Sequence, residues 1–171
     1  KKVAATRPPG RLCAVILDTI EHMPPDARAF FLKECARVAG QALLIAAPYG
    51  TPGHSAYEAK LDRLWRDVQG NSNRWLHEHV VNGLPNDEEI AGYRQILVAD
   101  GFTVRVYYSG DYRWQCRNLE RSLDLARKLG PFRTLAGTFN LLTVAADWSA
   151  LAFSETPCET TNRFYCLAHR R

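Results

Sequence analysis

The chain has 171 residues, 46% of them hydrophobic, and a formal net charge of +4. That length supports one domain with a core of its own, and that apolar fraction excludes a chain disordered throughout. Basic and acidic residues are interspersed, with no basic stripe studded by aromatic residues, so no nucleic-acid partner is expected.

Residues 14–17, "AVIL", form a short continuous apolar run, the pattern of a strand covered on both faces. Pro24 and Pro25 then break the chain, and Pro25 suits the first turn of a helix, with Asp26 favourable at its positive end. Ala27, Phe31, Cys35 and Val38 recur at helical spacing, and Gly40 is placed to stop the helix. "ALLIAA", 42–47, is a second buried strand, closed by Pro48 and Gly50. The unit reads as strand–helix–strand with parallel strands.

Tyr57, Leu61, Leu64, Trp65 and Val68 mark a strongly amphipathic helix. "GNSNRWLHEHVVNGLP" after it reads as a long polar and aromatic loop, so residues 51–85 are expected to hold a lid. Asn86 and Glu89 form a capping-box pattern ahead of Ile90, Tyr93 and Leu97, with Gly101 as the stop. "FTVRVYY", 102–108, alternates as a strand. Helices are expected over 114–129 and 134–153, making 114–153 a helical cap or insertion, and 162–168 closes the chain as a strand. Strand–helix alternation places the chain in the α/β class, with no internal repeat and no second domain.

The five cysteines, Cys13, Cys35, Cys116, Cys158 and Cys166, are odd in number and lack metal or redox spacing. They are expected to be buried, reduced thiols of a cytoplasmic protein. The opening "KKVAATRPPG" has no apolar stretch behind its lysines, so no secretory leader is expected. The apolar segment 135–153 is interrupted by Asn140, Asp147 and Ser149, against a membrane span.

In open α/β sheets, ligands bind beyond the carboxyl ends of the strands. Asp18 and Thr19 fall at such an end, where they suit either a ligand site or a turn that caps the next helix. Glu21 and His22 follow. His22 has the chemistry of a general base, and the pair equally suits a hydrogen bond that fixes the turn.

The segment 14–50, with Asp18, Glu21, His22 and Pro24 in an Asp-x-x-Glu-His-x-Pro turn, Ala36–Arg37–Val38 before the strand at Leu43–Leu44–Ile45, and Pro48 and Gly50 after it, resembles a known family. It is similar to the middle of class I S-adenosylmethionine-dependent methyltransferases of the type 11 group. Gly101–Phe102 and a last antiparallel strand at 162–168 fit the same order. The resemblance implies a partial Rossmann-like sheet with helices on both faces, S-adenosyl-L-methionine as cofactor and a small-molecule acceptor. It implies Leu17, Asp18 and Thr19 beside the cofactor, Glu21 and His22 as catalytic residues, and Pro48, Trp75 and His79 around the acceptor.

Relatives with a similar Glu-His turn include some that bind a divalent ion there. Further ligands would come from His77, Glu78 or His79, with His77 and His79 facing the same way in an extended loop. An ordinary surface loop fits those histidines too, and no metal is assigned. The family's Gly-rich loop and its acidic ribose-binding residue have no counterpart in the sequence, and Ala4 stands where an acidic residue commonly meets the adenine. The chain is therefore expected to be N-terminally incomplete, or to be a non-catalytic α/β interaction module, with an open sheet edge that pairs two copies into a homodimer.

Overall fold

The computed structural model describes residues 13–130 and 152–170. Strand β1 (Cys13–Leu17) leads through a 3₁₀ turn (Ile20–His22) to helix α1 (Pro25–Val38) and strand β2 (Ala42–Pro48). Helices α2 (Pro52–Gln69), α3 (Arg74–Asn82) and α4 (Asp87–Ala99) follow, then β3 (Phe102–Asp111), α5 (Tyr112–Leu129), β4 (Phe153–Ser154) and β5 (Thr161–Arg170). The class is α/β, as expected, with helices around one mixed sheet of order β1-β2-β5-β3-β4.

β1 and β2 are parallel, Val15 opposite Leu44 and Leu17 opposite Ala46, with α1 as the crossover between them. β5 runs antiparallel to both β2 and β3 and separates them. Leu43, Ile45 and Ala47 of β2 and Phe164, Cys166 and Ala168 of β5 are fully buried on one face. They meet Leu32 and Ala36 of α1 and Ile90, Tyr93 and Leu97 of α4. Each large side chain buried there contributes about 1.5–3 kcal/mol. A second cluster joins α2, α3 and α5 through Leu61, Leu76, Tyr112 and Cys116.

Several expectations are corrected. The long loop is helical over most of its length. Asn73 caps α3 by accepting from the Leu76 N–H at 3.2 Å, and Gly83 stops it with φ near +71°. α2 begins at Pro52, five residues before Tyr57, because the Thr51 hydroxyl accepts from the His54 N–H at 3.0 Å. The expected lid, 51–85, is thus two packed helices. The expected helix over 134–153 lies outside the described residues except at its end, where Phe153 belongs to β4. All five cysteines are free, but Cys13 and Cys158 are exposed rather than buried. Among the described residues, no helix is long and apolar enough to cross a membrane.

The capping box at Asn86 and Glu89 forms as read, with the Glu89 N–H donating to Asn86 Oδ1 at 3.0 Å. Glu89 has a second partner that periodicity does not reveal. The Arg28 guanidinium, 1% exposed, donates to Glu89 Oε1 at 2.7 Å. It also donates to the carbonyls of Met23 at 3.1 Å, Asn82 at 3.0 Å and Gly83 at 2.5 Å. One side chain of α1 therefore holds the 3₁₀ turn, the end of α3 and the start of α4 in register. Arg28→Met keeps the apolar stem and removes all four bonds. Because Glu89 stays partly exposed to water, the expected loss is about 3 kcal/mol, the lower end for breaking a buried pair, read as a lower urea midpoint at unchanged slope.

Candidate functional site

The site is built where β1 leaves the sheet. Asp18 adopts φ +48°, a left-handed conformation uncommon outside glycine, and its N–H donates to the Ala46 carbonyl at 3.0 Å. This turn throws the next residues across the carboxyl end of the sheet. The Asp18 carboxylate accepts from Arg163 Nη2 at 2.5 Å, and the Thr19 hydroxyl donates to the Leu17 carbonyl at 2.9 Å. Ile20 then plugs into the core at 1% exposure and forces its neighbour Glu21 inside with it.

The second wall is α3. Asn82 Nδ2 donates to the His22 carbonyl at 2.9 Å and clamps α3 to the turn. This sets the His22 and His79 rings 4.7 Å apart, centroid to centroid, and tilted by 31°. Glu21, His22 and His79 each offer an electron-pair donor atom, all within 4.8 Å of one another. Both Glu21 oxygens and His79 Nε2 are buried with no hydrogen-bond partner among the described residues. Glu78 Oε2 lies 3.0 Å from His22 Nδ1 as an ion-pair contact, without the alignment of a straight hydrogen bond.

Behind these residues lies a supporting chain. His79 Nδ1 sits 2.9 Å from Glu58 Oε2, and Glu58 Oε1 lies 3.6 Å from His54 Nε2. His54 Nδ1 is 2.8 Å from the Tyr49 carbonyl, and its ring stacks on Tyr112 at 4.7 Å and 8°. Gly50 permits the close return of the chain here, since a Cβ would fall 2.4 Å from the Leu84 carbonyl oxygen.

The electrostatics follow from burial and these neighbours. Burial raises the Glu21 carboxyl above the ordinary range, with Asp18 adding to the effect, against its own backbone N–H, which does not reach hydrogen-bond geometry, and the positive charge of His79 and Arg163. Burial, then His79, hold His22 below the usual histidine range against the pull of Glu78. For His79, burial acts downward too, but Glu58, Glu21 and Asp18 outweigh it and the net direction is up.

Of the residues read from the sequence, Glu21, His22 and His79 come together. Leu17, Asp18 and Thr19 lie exposed at the end of β1. Pro48 is buried at the end of β2, opposite Arg163 of β5. Trp75 is 66% exposed one turn before His79 on the same side of α3 and makes no part of the cluster. His77 and His79 diverge, because two residues on a helix are roughly 200° apart. The His77 side chain is 52% exposed and lies 4.0 Å from Asp62. His54 and Glu58 are new. They are four residues apart, a spacing that shares a helix face once α2 is known to start at Pro52. No known protein family and no curated protein matches the chain.

His54 gives a pH signature. Burial holds its pKa below the ordinary value near 6.5, against Glu58 and the Tyr49 carbonyl. Between the two values the unfolded chain binds the extra proton, so this contribution is fully present above pH ~6.5 and is lost as pH falls toward the folded value. The stability of the wild-type chain is expected to drop more steeply from pH 7.5 to 5.5 than that of His54→Phe, by urea unfolding at each pH. Equal slopes would remove His54 from the account.

Proposed function

We propose that the chain carries the acceptor side of an S-adenosylmethionine-dependent methyl transfer to an oxygen of a small molecule. The observation that carries this reading is the convergence of Glu21, His22 and His79 just beyond the carboxyl end of parallel β1. The position of β5, antiparallel between β2 and β3, supports it. When bound, the cofactor's sulfonium supplies an activated methyl group. Leu17, Asp18 and Thr19 fit one flank of such a ligand, being exposed where β1 ends. The described residues contain no Gly-rich cradle for its methionine part. The chemistry assigned to this chain is therefore confined to the acceptor: Glu21, His22 and His79 orient the accepting oxygen and take charge of its proton. Orientation is the larger requirement, since displacement at a methyl group needs in-line approach.

The test uses the protein expressed from its complete reading frame, supplied with methyl-labelled S-adenosylmethionine and a panel of small hydroxyl-bearing acceptors. Label is expected in the acceptor, reduced about 10²–10⁴-fold in His22→Ala. Absence of transfer across the panel would sink the reading. The 171 residues alone are expected to bind the cofactor with a Kd of about 1 mM or weaker. Calorimetry giving low-micromolar binding would show that no upstream cradle is needed.

One observation favours a second reading, an interaction module. Val15, Leu44 and Leu167 lie side by side in register across β1, β2 and β5, and Val15 and Leu167 are 62% and 42% exposed. Among the described residues β1 is the outermost strand, and this apolar face and edge suit a second copy of the chain. Sedimentation showing a dimer that Val15→Lys dissociates would support it. A monomer at high concentration would exclude it.

A further inference from the structure

We propose that Glu21, His22 and His79 form a binding site for a single divalent metal ion of the zinc type. The inference stands on side-chain geometry alone and does not require the methyl-transfer reading.

Glu21 is the starting point. Its side chain is 1% exposed, and neither carboxylate oxygen has a hydrogen-bond partner among the described residues. Its nearest imidazole nitrogen, His22 Nε2, is 3.9 Å from Oε1, too far for a hydrogen bond. A buried carboxylate in that state is costly unless a cation or donors compensate it. Among the described residues no lysine or arginine fills the gap: Arg163 is bonded to Asp18 and Arg28 to Glu89. What it meets instead is His79, whose Nε2 is also buried and also without a partner among the described residues.

The imidazoles are held as ligands are held. His79 Nδ1 is bound by Glu58 at 2.9 Å, which turns Nε2 toward the cluster. Glu78 at 3.0 Å occupies the Nδ1 side of His22 and leaves its Nε2 toward Glu21. A carboxylate behind each ligating histidine is the arrangement that fixes ring orientation at metal centres and strengthens the ligand. Glu58 is fixed in turn by buried His54, whose Nδ1 contacts the Tyr49 carbonyl, so the support extends two residues behind the ion.

The donor atoms lie within 4.8 Å of one another. Bonds of about 2.0–2.2 Å to a common ion require them to draw together by roughly 1 Å, within reach of small side-chain rotations. Two imidazole nitrogens and one carboxylate suit zinc, cobalt, iron(II) or manganese better than calcium or magnesium, which prefer all-oxygen sites. Three protein ligands leave at least one coordination position open, as at catalytic rather than structural zinc sites.

The experiment is titration of the chelator-stripped chain with Zn²⁺ and Co²⁺ as probes. One ion per chain is expected, with visible absorption bands from bound Co²⁺ that Zn²⁺ abolishes and millimolar Mg²⁺ does not. Glu21→Gln and His79→Ala are each expected to weaken binding at least ~100-fold. Glu58→Gln, which reaches the ion only through His79, should weaken it about 10–100-fold as a positioning change. Zn²⁺ should raise the thermal midpoint of the wild type and leave that of Glu21→Gln unmoved. Glu21→Gln removes an uncompensated buried charge, so its ion-free form is expected to be at least as stable as the wild type and to carry the test even if His79→Ala fails to fold. No stoichiometric binding, or binding that survives Glu21→Gln, overturns the proposal. Metal binding without methyl transfer would leave it standing and remove only the proposed reaction; methyl transfer in stripped protein with no ion bound would do the reverse.

Discussion

The site depends on the buried guanidinium of Arg28. The 3₁₀ turn precedes α3 and α4 by more than fifty residues of chain, and all three present a terminus to Arg28, where backbone groups are left unsatisfied by the helix itself. Arg28 takes the Met23 carbonyl from the first, the Asn82 and Gly83 carbonyls from the second and the Glu89 carboxylate from the third. Five donors in a fixed planar fork allow this, and the three rotatable donors of lysine would not match the same directions. The Asn82 amide then closes the arrangement on the His22 carbonyl. Displacement of α3 by even part of a helical turn would carry His79 away from Glu21.

The cost of the site lies in what Arg28 does not neutralise. Ile20 anchors the turn in the core, and that anchor draws Glu21 into a place where its carboxylate finds no donor. A fold selected for stability alone would place glutamine or an apolar residue there. Two histidines and two further carboxylates, Glu58 and Glu78, surround the position instead. The polar groups are concentrated at one end of the sheet, while the packed face between α1, α4 and the strands is apolar. That separation keeps the core intact and confines the electrostatic strain to one end of the sheet.

Much of the frame was legible in the sequence, because period and punctuation act locally. The apolar runs of β1 and β2, the Pro25 start of α1 and the Asn86–Glu89 box all declare themselves within a few residues. Two of the three cluster residues were legible for the same reason: Glu21 and His22 follow a strand end directly. α3 was not, since "RWLHEHVVN" has mixed polarity and its Asn73 cap reads equally as a loop residue. Misreading it as extended paired His77 with His79 and left His79 without its place opposite Glu21. His54 and Glu58 were hidden one step further back, behind a helix start misplaced by five residues. Arg28 was invisible, because three of its four partners are backbone carbonyls that any sequence supplies and the fourth, Glu89, lies 61 residues away.

The two ends of this polar chain differ in kind, and the difference bears on how the site works. At the inner end, His54 is stacked on Tyr112, fixed to a backbone carbonyl and 2% exposed, so it has a single packed environment. At the outer end, the side chains of His22 and Glu78 are 21% and 25% exposed and Trp75 stands open on α3. A ligand entering from the Trp75 side meets the adaptable residues first and the rigid ones last. Glu58 connects the two ends with one oxygen toward each histidine. A change at the buried end therefore reaches the cluster only through the orientation of His79. Precision at the rim is thus set by packing between α2 and α5, two helices that contribute no atom to the cluster itself.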